Sequence, residues 1–545
     1  MIRGLVAKDL RRGLGANAVL FGFFFVTALL ACGGAGTAAR LLGATDSLFA
    51  AAAAPDAVQM SSGEIDESQI AEFAASRPEV EDYLVSKAAI ATGDALWFGD
   101  ATQADSSSVM EYYFVTQNSS FDRLLGLDNK PVQVAPGQIG VPIYDMLRHG
   151  LRTGDRLRVK TPAGEMSFAI TSFLRDAQMN PAMISSKRLL VAPADLGRLS
   201  ELLAQSEHLI EFRLSPGAST AAFLDAYREA GLPQAGPSVD AGLLRAAAFL
   251  SDGLVVAVLL LASLLLLIIG VICLRFAVVS AIAASYRELG VLRAIGAPLG
   301  FIRRVFSAKY IALAAAGCLL GWSGALVLAP SLTQDALLYT GEPASPVGML
   351  IAASGAGAGL FTVVAASCWL AVRAVGKVSA TQALRDGMIG GAQPGRRRWP
   401  LSSGRSPVTW YLGLRDLHLR PQAYLVPLAV FAIAAFLLIV PVNFLATANS
   451  PTFVQYMGIG LSEVRLDAPV NGDNPELPSQ VMARIAGDPD IGRAAQTTVY
   501  RCALLPATGQ ATTSLVETGD FETFPVAYLE GRAPAARGEL ALSRI

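Results

Sequence analysis

The sequence predicts a multi-pass α-helical membrane protein with α+β extracytoplasmic domains. Three observations predict the spans and the mixed domains. Charged residues are 16% of the 545 while the AVILMFWYC set reaches 53%, well short of the about 25% charge of soluble domains. Five long stretches hold no ionisable residue, and each can supply the roughly 20 apolar residues that cross about 30 Å of hydrocarbon. Two segments of mixed composition accompany them, residues 41–250 between the first and second stretches and 449–545 after the fifth. The net charge of −1 speaks against a globally basic nucleic-acid binder, and no nucleic acid is expected among the partners.

The first uncharged stretch runs from Gly13 to Ala39, the second from Gly253 to Leu274, the third from Tyr310 to Gln334 and the fourth from Pro343 to Val372. The fifth has its apolar centre at Tyr424 to Ala446. Residues 1–12, 275–309 and 373–420 together carry nineteen Lys or Arg against four acids. Residues 41–250 carry 26 acids against 16 bases, and 449–545 carry 11 against 7. Basic residues beside spans stay on the cytoplasmic side, so the N-terminus is expected inside and the chain in the plasma membrane. A cleaved signal peptide, or a lipoprotein-type site ending at Cys32, fits less well, because the stretch exceeds the 7–15 residues of a signal core.

The expected division is a cytoplasmic N-terminus and first span in 1–40, a first extracytoplasmic domain in 41–250, and spans two to four in 251–375. A cytoplasmic linker at 376–422, a fifth span at 423–448 and a second extracytoplasmic domain at 449–545 follow. In the first outer domain Asp66 to Ser76 reads as a helix, with Ile70, Phe73 and Ala74 on one face. Arg156 to Val159 and Met166 to Ile170 alternate around Thr161-Pro162-Ala163-Gly164, a hairpin pattern. Leu189 to Val191 and Leu209 to Leu214 are further strands.

An internal repeat has a period near 400 residues. Lys8-Asp9-Leu10 returns as Arg415-Asp416-Leu417, residues 70–80 align without gaps on 481–491, and Pro136-Gly137-Gln138-Ile139 resembles Arg537-Gly538-Glu539-Leu540. A full second copy would add about 100 domain residues and three spans after Ile545, so the second unit is expected to be incomplete here.

Between spans two and three, Val279, Ile282, Tyr286, Leu289 and Leu292 recur at three- and four-residue steps, an apolar stripe able to dock in a groove. Gly290 and Gly296 disfavour a continuous helix by about 1 kcal/mol each, so a turn or close backbone approach is expected near Gly296-Ala297-Pro298. The run Tyr286-Arg287-Glu288-Leu289-Gly290-Val291-Leu292-Arg293-Ala294-Ile295-Gly296-Ala297 resembles the signature of FtsX-like, MacB-type ABC transporter permeases. The closing Ala383-Leu384-Arg385 and the order of one span, large outer domain and three spans are similar too. Lys309, where relatives often carry an acid, and Ala380, near a common Pro, depart from that pattern.

The resemblance implies outer domains of the MacB-like periplasmic core type and a permease subunit whose segment 281–304 rests on a separate ABC ATPase dimer. Tyr286, Arg287, Glu288, Leu289, Gly290, Leu292, Arg293, Ala294, Gly296 and Ala297 would then form the ATPase-coupling element. It implies no directly bound cofactor, ATP and Mg being used by the partner. Other implied partners are the lipid bilayer and an extracytoplasmic substrate-delivery or sensor protein. The implied cargo is a peptide, antibiotic, lipid or lipoprotein; a mechanotransmitter acting on a cell-wall hydrolase or sensor kinase is the alternative.

Gly317, Gly321 and Gly324 in span three permit close helix approach, read first as packing within one bundle and second as a dimer seam. Arg396-Arg397-Arg398 reads as a solvated linker before a lipid contact. No phosphate-cradling Gly-x-x-x-x-Gly-Lys-Ser/Thr run occurs in the sequence. Three histidines and dispersed cysteines suggest neither a zinc site nor a disulfide framework, so the chain is expected not to be an enzyme.

Overall fold

A backbone in hydrocarbon must satisfy its own hydrogen bonds, so each uncharged run is driven into a helix. The computed structural model describes residues 14–373 apart from 64, 106–107, 109, 162–163, 181–183, 204–205, 286–287, 289 and 292–293. It also describes 417, 421–448, 450, 460–466, 477–504 and 512–542. The chain forms two units, Met1–Val430 and Phe431–Ile545.

Helix α1 (Leu14–Ala52) leads into the first outer domain, which begins with β1 (Ala57–Ser62), α2 (Glu67–Ser76), β2 (Val80–Thr92), β3 (Leu96–Phe98) and β4 (Glu111–Val115). It continues with β5 (Gln138–Pro142), α3 (Ile143–His149), β6 (Arg156–Thr161), β7 (Gly164–Leu174) and β8 (Ser186–Val191). Then come α4 (Pro193–Leu202), β9 (Ser206–Leu214), α5 (Thr220–Glu229) and β10 (Ser238–Asp240). The membrane helices α6 (Ala241–Ala284), α7 (Leu299–Thr340) and α8 (Val347–Val372) follow.

Among the described residues, four helices are long and apolar enough to cross a membrane. Helix α1 is central and packs on α6, α7 and α8. Three of the four far exceed a bilayer: 39, 44 and 42 residues for α1, α6 and α7 correspond to about 58, 66 and 63 Å at 1.5 Å per residue. The uncharged runs mark the hydrocarbon, whereas the helices continue beyond it.

The outer domain is a single mixed sheet in the order β10-β1-β9-β2-β4-β8-β5-β7-β6-β3, with helices packed on it. The pairs β4/β8 and β5/β7 are parallel. Both faces of the middle are covered: Tyr112 and Phe114 of β4 join one apolar cluster, Tyr113 and Val115 another. The expected hairpin is present, β6 and β7 pairing from Arg156↔Ala169 to Thr161↔Gly164. The expected helix is α2, N-capped by Asp66, whose carboxylate accepts from Ser68 N.

In the second unit, α9 (Pro421–Ala448), which begins before the boundary, carries the fifth uncharged run, its apolar part being Pro427–Val440. Helix α10 (Leu477–Ala486) and an antiparallel hairpin of β11 (Thr497–Leu504) and β12 (Thr512–Gly519) follow. Local geometry repeats between the units. Helices α2 and α10 each have ten residues and occupy aligned positions within one residue. Gly137 and Gly538 both take positive φ, +79° and +93°, each at a turn closed two bonds on, by Gln138 N to Ala135 O and by Glu539 N to Ala536 O.

Candidate functional site

At the inner end of the bundle, α6 runs unbroken to Ala284 with Ser285 as its C-cap. Val279 and Ile282 therefore belong to the spanning helix rather than to a surface helix. Ile282 is buried against Leu274, Val278 and Ile302 inside the bundle, which takes it out of the apolar stripe read from the sequence. Among the described members of the coupling segment, Glu288 and Ala294 are helical and exposed, and Gly290 is helical and buried. Gly296 takes φ +86° with nothing within 4 Å of a Cβ, so the break is a turn and not a close approach. Ala297 packs against the bundle core, and α7 starts immediately after Pro298, its N-cap. Tyr286, Arg287, Leu289, Leu292 and Arg293 lie outside the described residues, as do the linker 376–416 and Ala383-Leu384-Arg385.

In mid-bundle, Gly317 and Gly321 face α1 of the same chain. A Cβ on Gly321 would stand 2.6 Å from the Cβ of Ala28, and one on Gly317 2.9 Å from the Cβ of Phe24. Gly324 is looser, its nearest neighbour being a Leu29 methyl at 3.0 Å, while Gly355 and Gly359 of α8 have nothing within 4 Å.

At the outer end, two helices run into the sheet almost without slack and a third is gripped at its end. Strand β1 starts at Ala57, five residues after α1 ends at Ala52. Asp240 both closes β10 and N-caps α6, accepting from Leu243 N at 2.7 Å. Because β1 pairs with β10 at Ala57↔Asp240, the outer ends of α1 and α6 are stapled through adjacent strands.

Helix α7 is held by its last carbonyls, the groups that a helix C-terminus leaves unpaired. Arg175, just after β7, donates to Leu338 O at 2.9 Å and to Leu337 O at 3.3 Å; it also donates to Leu127 O and to Asn129 Oδ1. Asn180 donates to Tyr339 O at 2.7 Å. Leu338 and Tyr339 pack on the outer-domain core.

Next to this clamp lies a buried ion cluster. Arg188 of β8 donates to both Asp122 and Asp176, with all three side chains at most 6% exposed. Burial alone would lower the Arg188 pKa, but the two carboxylates raise it well above its ordinary value. Burial would raise Asp176, and Arg188 pulls it below the usual range. Glu211, fully buried beside them, accepts from Gln178 and stands 3.9 Å from Arg188, and burial and then Asp122 push its pKa well above the usual range.

The cluster touches the helix ends through its backbone. Asp122 N and Arg123 N donate to Ala53 O and Ala52 O, at the end of α1. Asp176 adjoins Arg175, which holds the end of α7. Among the described residues the non-glycine residues with positive φ are Ala53, Asp122 and Asn129, and all three are at this junction, where the surrounding contacts hold them in a costly conformation.

A second buried pair sits deeper in the sheet. Tyr112 Oη donates to Asp145 at 2.7 Å, and burial pushes Asp145 up to about 7. Lys187 donates to the carbonyls of Met179, Ile184 and Ser186, and burial pushes it down to about 8.

No local sequence pattern marks this junction. The one available signal was charge inside apolar strand runs, Lys187-Arg188 before Leu189-Leu190-Val191 and Glu211 between Ile210 and Phe212. Among the described residues no group of three His, Cys, Asp or Glu is placed to hold a metal ion.

Residues 260–380 match the family model described as the FtsX-like permease C-terminal domain. The match takes in most of α6, the turn at Gly296, α7 and α8. A search of curated proteins finds no match. Among solved structures, a crystal structure of a domain assigned to a permease protein of Porphyromonas gingivalis aligns with 32% of this chain and 70% of its own, at 19% identity and a TM-score of 0.19, a likeness too slight to carry weight. Residues 260–380, set in a bundle of long apolar helices, are thus similar to the C-terminal domain of FtsX-like permeases.

Proposed function

We propose that the chain is the permease subunit of an ABC transporter and that it works by carrying motion from the inner face to the outer domain. A separate ATPase dimer, using ATP and Mg, would press on segment 281–304. Tyr286 to Ala297 would be the contact, at the turn that joins α6 to α7. Displacement of that turn moves both helices, and α1 is packed between them through Gly317 and Gly321.

The observation that carries this reading is the slack-free outer junction. Helices α1 and α6 pass into paired strands, and α7 is gripped by Arg175 at its final carbonyls. A tilt or slide of the bundle therefore has to move the sheet. The cargo would be a peptide, antibiotic, lipid or lipoprotein on the outer side.

The test is ATP hydrolysis by the reconstituted complex with its ATPase. Replacing Leu289 and Leu292 with Asp is expected to reduce hydrolysis to the level of the isolated ATPase. Hydrolysis unchanged by both substitutions contradicts the coupling assignment.

A further inference from the structure

We propose that a cavity between α7 and the outer domain binds one phospholipid with a zwitterionic headgroup, drawn from the outer leaflet. The cavity measures about 720 Å³ and is lined in part by Arg40, Asp128, Arg175, Val327, Gln334 and Glu342, a volume typical of small-molecule sites. The inference needs only that the helices span the bilayer with the sheet domain outside, and not that the chain transmits force.

Depth points to a lipid. Arg40 is the first charge after the run 13–39, and Gln334 closes the run 310–334. Both runs end at the outer edge of the hydrocarbon, so the cavity opens at headgroup level. Below it, Leu320, Val327 and Gln334 follow at seven-residue steps and share one face of α7. Val327 is 77% exposed and Leu320 53%, apolar side chains against which acyl chains can lie.

Charge selects the headgroup. The lining holds two arginines and two carboxylates, a balance that suits a neutral zwitterion better than an anion. Their order along the membrane normal is also asymmetric. The Arg40 guanidinium donates to Thr333 Oγ1 at 2.9 Å, level with the end of the uncharged run, and outward to Glu342 at 2.8 Å. Glu342 and Asp128 are 70% and 64% exposed at the side chain, against 15% for Arg40. Arg40 is thus the shielded cation, held level with Thr333, while both carboxylates face solvent. A glycerophospholipid with an ethanolamine head has the complementary order, phosphate next to its chains and ammonium beyond.

Native mass spectrometry of the full chain in detergent, offered equal amounts of phosphatidylethanolamine and phosphatidylglycerol with identical chains, tests this. The expected result is several-fold preferential retention of the ethanolamine lipid. Asp128→Lys, a change on an exposed loop, should abolish the preference, and Gln334→Trp, which fills the cavity, should lower retention of both lipids. Val255→Trp on the exposed face of α6 should change nothing. Equal retention by the unmodified chain, preference for the glycerol lipid, or a preference indifferent to both cavity substitutions overturns the proposal. A loss with Val255→Trp equal to that with Gln334→Trp marks generic annular lipid and overturns it as well.

Discussion

Arg175 donates from Nε to the carbonyl oxygen of Leu338, 2.9 Å away, in the last turn of α7. A side chain of the outer sheet thereby occupies the orphan end of a membrane helix, and its other donors go to Leu337, Leu127 and Asn129. The guanidinium is a four-way tie, and its removal should free the helix end without unfolding the sheet.

Arg175→Met should lower the opening free energy of residues 335–341 by about 3 kcal/mol, the scale of hydrogen bonds to a charged donor. Amide hydrogen exchange of the full chain reads this directly: protection at 335–341 falls while that of β4 and β9 is unchanged.

Arg188→Met should be worse, costing about 3–5 kcal/mol, since it strands the carboxylates of Asp122 and Asp176 in the interior. Adding Asp122→Asn and Asp176→Asn should recover much of the loss. Thermal unfolding in detergent of the single and triple variants checks both steps.

Asp145 sets a pH dependence. Burial raises its pKa to about 7 from the ordinary 3.8, so between those values the folded chain binds more protons than the unfolded one. Stability from this group is therefore full below about pH 4 and is lost as pH rises through 7, by an amount on the order of 4 kcal/mol. Lys187, Asp105 and Arg148 act on the same carboxyl, so the readout is a comparison. Protection of β4 amides should fall from pH 5 to pH 8 more steeply in the unmodified chain than in Asp145→Asn.

Close helix packing gives a contrast between two glycines. A methyl on Gly321 meets Ala28 Cβ and Phe25 O at 2.6 Å, whereas one on Gly355 meets nothing within 4 Å. Gly321→Ala should destabilise the bundle by about 1–3 kcal/mol, as overpacking does, and Gly355→Ala should leave the melting temperature unchanged or slightly raised.

Charge-free runs revealed the spanning helices because the bilayer enforces that pattern locally, and turn chemistry at Thr161 to Gly164 revealed the β6/β7 hairpin. Helix length was not legible. Arg40 and Asp46 lie outside the hydrocarbon yet remain helical in α1, since tertiary packing and not hydropathy decides where a stalk ends. Ile282 was misread as part of a free stripe, because three- and four-residue spacing identifies a face without saying what covers it. The junction was hidden for another reason. Arg175 meets Leu338 across 163 residues and Arg188 meets Asp122 across 66, and no local pattern encodes such partners.

Force transfer from inner turn to outer sheet is tested most directly by a distance. Spin labels at Asp225 on α5 and at Val291 beside the inner turn, in the chain reconstituted with its ATPase, report on it by double electron–electron resonance. The account predicts that trapping ATP shifts the distance distribution, and that Arg175→Met diminishes the shift while ATP still binds. An identical distribution with and without trapped ATP in the unmodified chain would contradict it.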